Sequence, residues 1–189
     1  MTDPIAFATP KDLDAWLAAN HDRETELWVK LYKKASGIPS ITWGEMVEAA
    51  LCWGWIDGLK RSHDDVSYLQ RLTPRKPRSN WSKANVAHVE RLISEGRMQP
   101  AGLVHVDAAR ADGRWEAAYA GPADMVIPDD FLAAVAANPA AKATYDALTR
   151  SWLYSIYHQL HSARKPETRA ARMDRMIARM AQGEPPVKR

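Results

Sequence analysis

Between Thr42 and Thr73 the apolar pattern changes from helical spacing to alternation, and that change narrows the fold more than any other feature of the chain. Thr42-Trp43-Gly44-Glu45 is a capping box: the Thr oxygen accepts the Glu45 amide while the Glu45 carboxylate reaches back to the Thr42 amide. Ile41 and Met46 stand at the positions of a hydrophobic staple. From there Trp43, Met46, Val47, Ala50, Leu51 and Gly54 follow helical spacing, which predicts a helix ending at Gly54. Trp55 to Arg61 and Val66 to Thr73 then read as antiparallel strands joined by Ser62-His63-Asp64-Asp65. The turn lacks Gly, so type and register stay open, and a one-residue slip decides whether Asp57 faces Gln70 or Arg71. The expectation places Asp57 near Arg71 or Arg75.

Upstream, Ile5 to Ala8 reads as a short edge strand, and Thr9-Pro10 opens a helix carrying Leu13, Trp16 and Leu17. Glu26 to Lys33 alternates, with Leu27, Val29 and Leu31 on one side of a half-buried strand. Downstream, Ser79 or Ser82 caps a helix with Val86, Val89, Leu92 and Ile93, ended by Gly96, and Pro100 opens another to about Asp112. The rest reads as helices over 128–137, 139–148, 151–164 and 166–182, broken at Asn138-Pro139 and Lys165-Pro166. The fold expected is α+β: a small antiparallel sheet with packed helices, then a C-terminal helical bundle. The expected division is 1–113, a linker over 114–127, a helical module over 128–183 and a frayed tail over 184–189.

The 189 residues carry a net charge of only +3, unevenly spread. Lys60 to Arg91 holds eight Lys or Arg against Asp64, Asp65 and Glu90, and Arg164 to Arg189 eight against Glu167, Asp174 and Glu184, a balance of +5 in each block. The first block overlaps the stretch Trp53 to Trp81, which contains three of the eight tryptophans. Broad aromatic surface beside fixed positive charge suits an anionic ligand, and the candidate contact set is Trp55, Asp57, Lys60, Arg71, Arg75, Lys76, Asn80 and Trp81. Arg169 falls four residues before Met173 on the inward face of the last helix, where it needs a carboxylate or a bound anion, and is a further candidate for the same groove.

Other chemistries are poorly supplied. Cys52 is the single cysteine, so there is no internal disulfide or thiolate metal cluster. His63-Asp64-Asp65 cannot converge on one ion, and His158 and His161 do not share the apolar stripe's face, so no metal and no cofactor are expected. There is no nucleophile elbow and no Gly-rich phosphate loop. Asp57, between Ile56 and Gly58, is the one candidate acid or base. Arg71, Arg75, Lys76, Arg78 and Lys83 with Trp55, Tyr68 and Trp81 keep oligonucleotide binding open as an alternative. A partner protein docking beside Met173 and Met180 is a third reading, and it requires an exposed apolar strip there. No apolar run approaches the roughly 20 residues that span a bilayer, and the opening lacks the basic and apolar regions of a signal peptide, so a cytoplasmic location is expected.

ELWVKLYKK, ITWGEMVEAALCWGWIDG and YLQRLTPRKPRSNWSKANVAHVERLISEGRMQPAG resemble the first half of the YdeI/OmpD-associated bacterial proteins, also called bacteriocin-protection proteins. Pro128 to Gly183, with ARKPETRAARMDRMIARMAQG near its end, is similar to their C-terminal helical module. The resemblance implies a link to resistance against bacteriocins or cationic antimicrobial peptides and to an outer-membrane porin. It brings no catalytic residues with it. Two basic blocks would repel a cationic peptide, so the expectation is a non-enzymatic stress-resistance protein that binds an anionic small molecule.

Overall fold

The computed structural model describes residues 3–187. The chain forms two compact units, Met1–Ala117 and Ala118–Arg189. The first contains β1 (Ile5–Ala6), α1 (Pro10–Asn20), β2 (Leu27–Tyr32), α2 (Trp43–Cys52), β3 (Trp55–Ser62), β4 (Ser67–Pro74), α3 (Lys83–Ser94) and α4 (Pro100–Ala111). The sheet order is β1-β2-β4-β3. β2, β4 and β3 are antiparallel, but β1 joins β2 in parallel, so the sheet is mixed rather than purely antiparallel. The reason is topological: α1 lies between β1 and β2 and carries the chain back before β2 begins.

The N-terminal caps expected at Thr9 and Thr42 form. Thr9 and Asp12 make a reciprocal box at α1, and Thr42 and Glu45 another at α2, with the Thr42 amide donating to Glu45 Oε2 at 2.7 Å. These bonds hold the Glu45 carboxyl below its ordinary range. α2 ends at Cys52 with Trp53 as its cap, two residues short of the expected end, and Gly54 follows with a φ of 74° that only glycine adopts readily. A Cβ there would stand 2.7 Å from the Ala101 carbonyl oxygen. From the other side, a Cβ on Gly102 would collide with the Cys52 carbonyl oxygen and lie 2.8 Å from that of Leu51. Two glycines thus let the end of α2 and the start of α4 meet backbone to backbone, where the Gln99 amide donates to Cys52 O at 3.1 Å.

Register resolves the placement of Asp57. It pairs with Leu72, and a bulge follows in which β3 spends one residue more than β4 before Lys60 pairs with Gln70. Gln70, itself buried, donates to the Gly58 carbonyl inside the bulge at 2.8 Å. Asp57, Lys60, Gln70 and Leu72 therefore share one face, while Arg71 lies on the other beside Trp28. The turn is closed by Asp64, which accepts from the Val66 amide at 3.0 Å and from Ser67 Oγ at 2.7 Å.

The second unit holds α5 (Asp129–Ala136), α6 (Pro139–Asp146), α7 (Arg150–His161) and α8 (Pro166–Ala181) around Phe131, Val135, Ala141, Ile156, Leu160, Met176 and Met180. Thr144 Oγ1 donates to Met180 O at 2.7 Å and ties α6 to α8. The segment ahead of α5 is fastened to α7: Ala120 N donates to the Tyr157 hydroxyl at 2.8 Å, and Arg150 donates to the carbonyls of Pro122 and Ala123. The tail is bound rather than frayed as far as Val187, since Arg179 holds Glu184 and Pro185 O while Gln159 donates to Val187 O. Its last two residues lie outside the described residues. Among the described residues no helix is long and apolar enough to cross a membrane.

Candidate functional site

Beyond β4 the chain forms a short loop, residues 75–81, that is fixed from beneath. The Arg75 amide donates to Gly54 O at 2.8 Å, which keeps the strand-end geometry for one more residue and turns the Arg75 side chain inward. There its guanidinium carbon sits 3.7 Å from the centroid of the Trp81 ring, and Nη1 donates to Asn80 O at 3.1 Å. Arg114, just past α4, donates through Nη1 to Ser79 O at 2.8 Å and through Nε to Asp112 at 2.7 Å. Both arginines are nearly buried, at 3% and 7% exposure. Taking a guanidinium out of water is costly, and here carbonyl oxygens, an indole face and a carboxylate offset that cost. Trp115 packs on Trp81 at 4.9 Å between ring centroids and completes the floor.

The upper side of the loop faces solvent. Ser79 N donates to Lys76 O at 3.0 Å, closing a turn around Pro77 and Arg78, and Ser82 Oγ accepts the Asn85 amide to start α3. Lys76, Arg78, Asn80 and Lys83 are exposed. Burial, and then the charges of Arg75 and Arg114, depress the pKa of His105 on α4 and so disfavour its charged form.

The residues singled out from the sequence do not converge on one groove. Trp55 is a core residue at 1% exposure, its indole donating to His21 O and meeting Trp16 edge-on, so it lines no open surface. Trp81 is likewise buried and serves as the platform under Arg75. Lys60 is exposed over the Tyr68 ring at 4.1 Å. Arg71 is paired with Glu26 at 2.8 Å on the face opposite Asp57, so no Asp57–Arg71 pair forms. Arg75 does act on Asp57. Arg169 belongs to the second unit, where Asp130 takes its guanidinium through both oxygens at 2.5 and 2.8 Å. What the fold brings together is Arg75, Lys76, Asn80 and Trp81. His105 joins them from α4 and Arg114 and Trp115 from just past it, and only the Arg114-Trp115 doublet, repeating the Arg and Trp of the loop, hinted at this in the sequence.

Asp57 is half-buried. Burial raises its pKa against the opposing pull of its own backbone amide, the Trp43 indole and Arg75. The Cys52 thiol is pushed up to about 11 by burial and is no ready nucleophile. Among the described residues no three His, Cys, Asp or Glu side chains are placed to hold a metal ion. In α8, Met176 and Met180 are buried and Met173 and Ile177 are partly buried against the same cluster.

A family model described as a domain of unknown function, DUF8412, matches residues 5–105. A second, described as Bacteriocin-protection, YdeI or OmpD-Associated, matches residues 124–183. The likeness to bacteriocin-protection proteins is thus shown, as a distant relation, over the C-terminal part, while the first half matches a family of its own. No curated protein and no solved structure matches the chain.

Proposed function

Taking as premise that the chain belongs to the DUF8412 family, we propose that it is a non-enzymatic binding protein whose loop over residues 76–80 grips an anionic ligand. One observation carries this reading: two buried guanidiniums pin the loop from inside, while Lys76, Arg78 and Asn80 face outward. A cationic loop that is already ordered loses little conformational freedom on binding, so more of its electrostatic attraction becomes affinity. The bacteriocin-protection label of the C-terminal match supports a role in stress resistance exerted through such a ligand, because a basic surface repels cationic peptides.

The test uses the full chain with pyrophosphate, citrate and short oligonucleotides at low and high salt, read by tryptophan fluorescence and thermal shift. A bound anion stabilises by about 3 kcal/mol at a hundredfold excess over its dissociation constant. The double variant Lys76→Ala, Arg78→Ala should weaken binding about tenfold or more, each lost charged hydrogen bond contributing about 1.5–3 kcal/mol. Unchanged affinity would refute the assignment. A response confined to oligonucleotides, with a steep salt dependence, would move the ligand class to nucleic acid. Arg75 is unsuited to this test because it is part of the floor.

A second reading, an enzyme acting on a small phosphorylated or carboxylated compound, is favoured by Asp57 alone. Its carboxyl is raised toward protonation and touches Trp43, which is 49% exposed, so the acid lies close to solvent. Turnover that Asp57→Asn abolishes would establish it.

A further inference from the structure

The second unit carries a cleft between α7 and α8 of about 230 Å³, lined by Arg172, Arg175 and Arg179 with Gln159, Met176 and Val187. The three arginines are spaced three and four residues apart, which places them on one face of α8, where like charges repel unless something anionic lies between them. Their engagements differ. Arg172 spends Nη1 on Gln159 O and Ser162 Oγ, at 2.6 and 3.0 Å. Arg179 is held by the tail, through Pro185 O at 3.1 Å and Glu184 at 2.7 Å. Arg175 makes no hydrogen bond or ion pair among the described residues and is exposed. Among the described residues that line the cleft there is no carboxylate.

The floor is of another character. Met176 is buried in the helical core, and Val187 closes the far side, drawn in where Gln159 Nε2 donates to its carbonyl at 3.0 Å. A cavity of about 150 Å³ takes a benzene ring. This one has room for a ring-sized apolar body and an oxyanion head. From the cationic rim, the apolar floor and the volume, we infer that the cleft is a binding site for a small organic oxyanion, carboxylate or phosphate, with a short apolar body. The inference stands apart from the loop in the first unit.

The experiment is calorimetric titration of the full chain with benzoate and with phenyl phosphate, using inorganic phosphate and benzyl alcohol as the two halves of the ligand. Both amphiphilic anions should bind, each more tightly than either half, and the tighter of the two identifies the head group. Arg175→Ala, which removes an exposed side chain with no partner among the described residues, should weaken both about tenfold or more, and Arg175→Lys should weaken them less. All titrations are made on the Lys76→Ala, Arg78→Ala background, which removes any heat from the loop of the first unit, so failure of the loop reading and failure of this one are separable. No heat with either anion, inorganic phosphate binding as well as phenyl phosphate, or an Arg175→Ala variant with unaltered affinity would each overturn the assignment.

Discussion

Gly102→Ala sets two well-characterised effects against each other. Gly102 lies inside the first turn of α4, where alanine is favoured over glycine by about 1 kcal/mol from backbone entropy alone. Against this, the added Cβ would stand 2.8 Å from Leu51 O and closer still to Cys52 O, both backbone atoms in the last turn of α2. No rotamer change relieves such a contact, so α2 and α4 must separate. Overpacking of this kind costs about 1–3 kcal/mol. Separation also strains the bond from Gln99 N to Cys52 O, which adds about 1 kcal/mol. Sterics win, with a net loss of about 2 kcal/mol. Seven of the eight tryptophans lie in the first unit, so urea unfolding followed by tryptophan fluorescence reads this region directly. The midpoint should fall by about 1 M with the slope unchanged. A midpoint at or above that of the wild type would show that the two helices do not meet through Gly102.

Thr42→Ala should cost about 1 kcal/mol by removing half of the capping box. Because Glu45 titrates below its ordinary value in the fold, its contribution is present above that value and lost as pH falls through the lower one. Urea titrations on the acid side should therefore show a shallower loss in the variant than in the wild type. His105 runs in the same sense, its folded pKa being depressed: stability is full above about 6.5 and declines as pH falls below it, when the unfolded chain gains a proton that the fold resists. His105→Gln should flatten the stability profile between about pH 7 and pH 5, and an unaltered profile would mean that the ring is not held beneath the two arginines.

Local features of this fold were legible in the sequence because they depend on neighbours in the chain. Thr42 and Glu45 sit three residues apart, Asn138-Pro139 carries its own cap and break, and α5, α6 and α8 begin within a residue of where the prolines put them. What was hidden depends on distance or on one residue of register. The bulge after Asp57 has no signature beyond Gly58, yet it places Lys60 on the face of Asp57 and leaves Arg71 on the other. Composition suggested a groove in which tryptophans and arginines face a ligand together. The loop instead divides them, because Arg75 finds an indole and carbonyls within reach while Lys76 and Arg78 do not. Arg114 reaches the loop from 35 residues away, a pairing that no local pattern records.

The bulge bears also on how the molecule behaves in company. β3 is an end strand of the sheet, and an end strand offers unpaired amides and carbonyls to any other chain that approaches in extended form. Over Gly58–Ser62 this strand is exposed. The extra residue breaks the regular spacing that an incoming strand would have to match, and Lys60 and Arg61 would set like charges side by side in an edge-to-edge dimer. Lys60, singled out as a ligand contact, thus has a second use: with Arg61 it keeps one copy of this sheet from extending into the next.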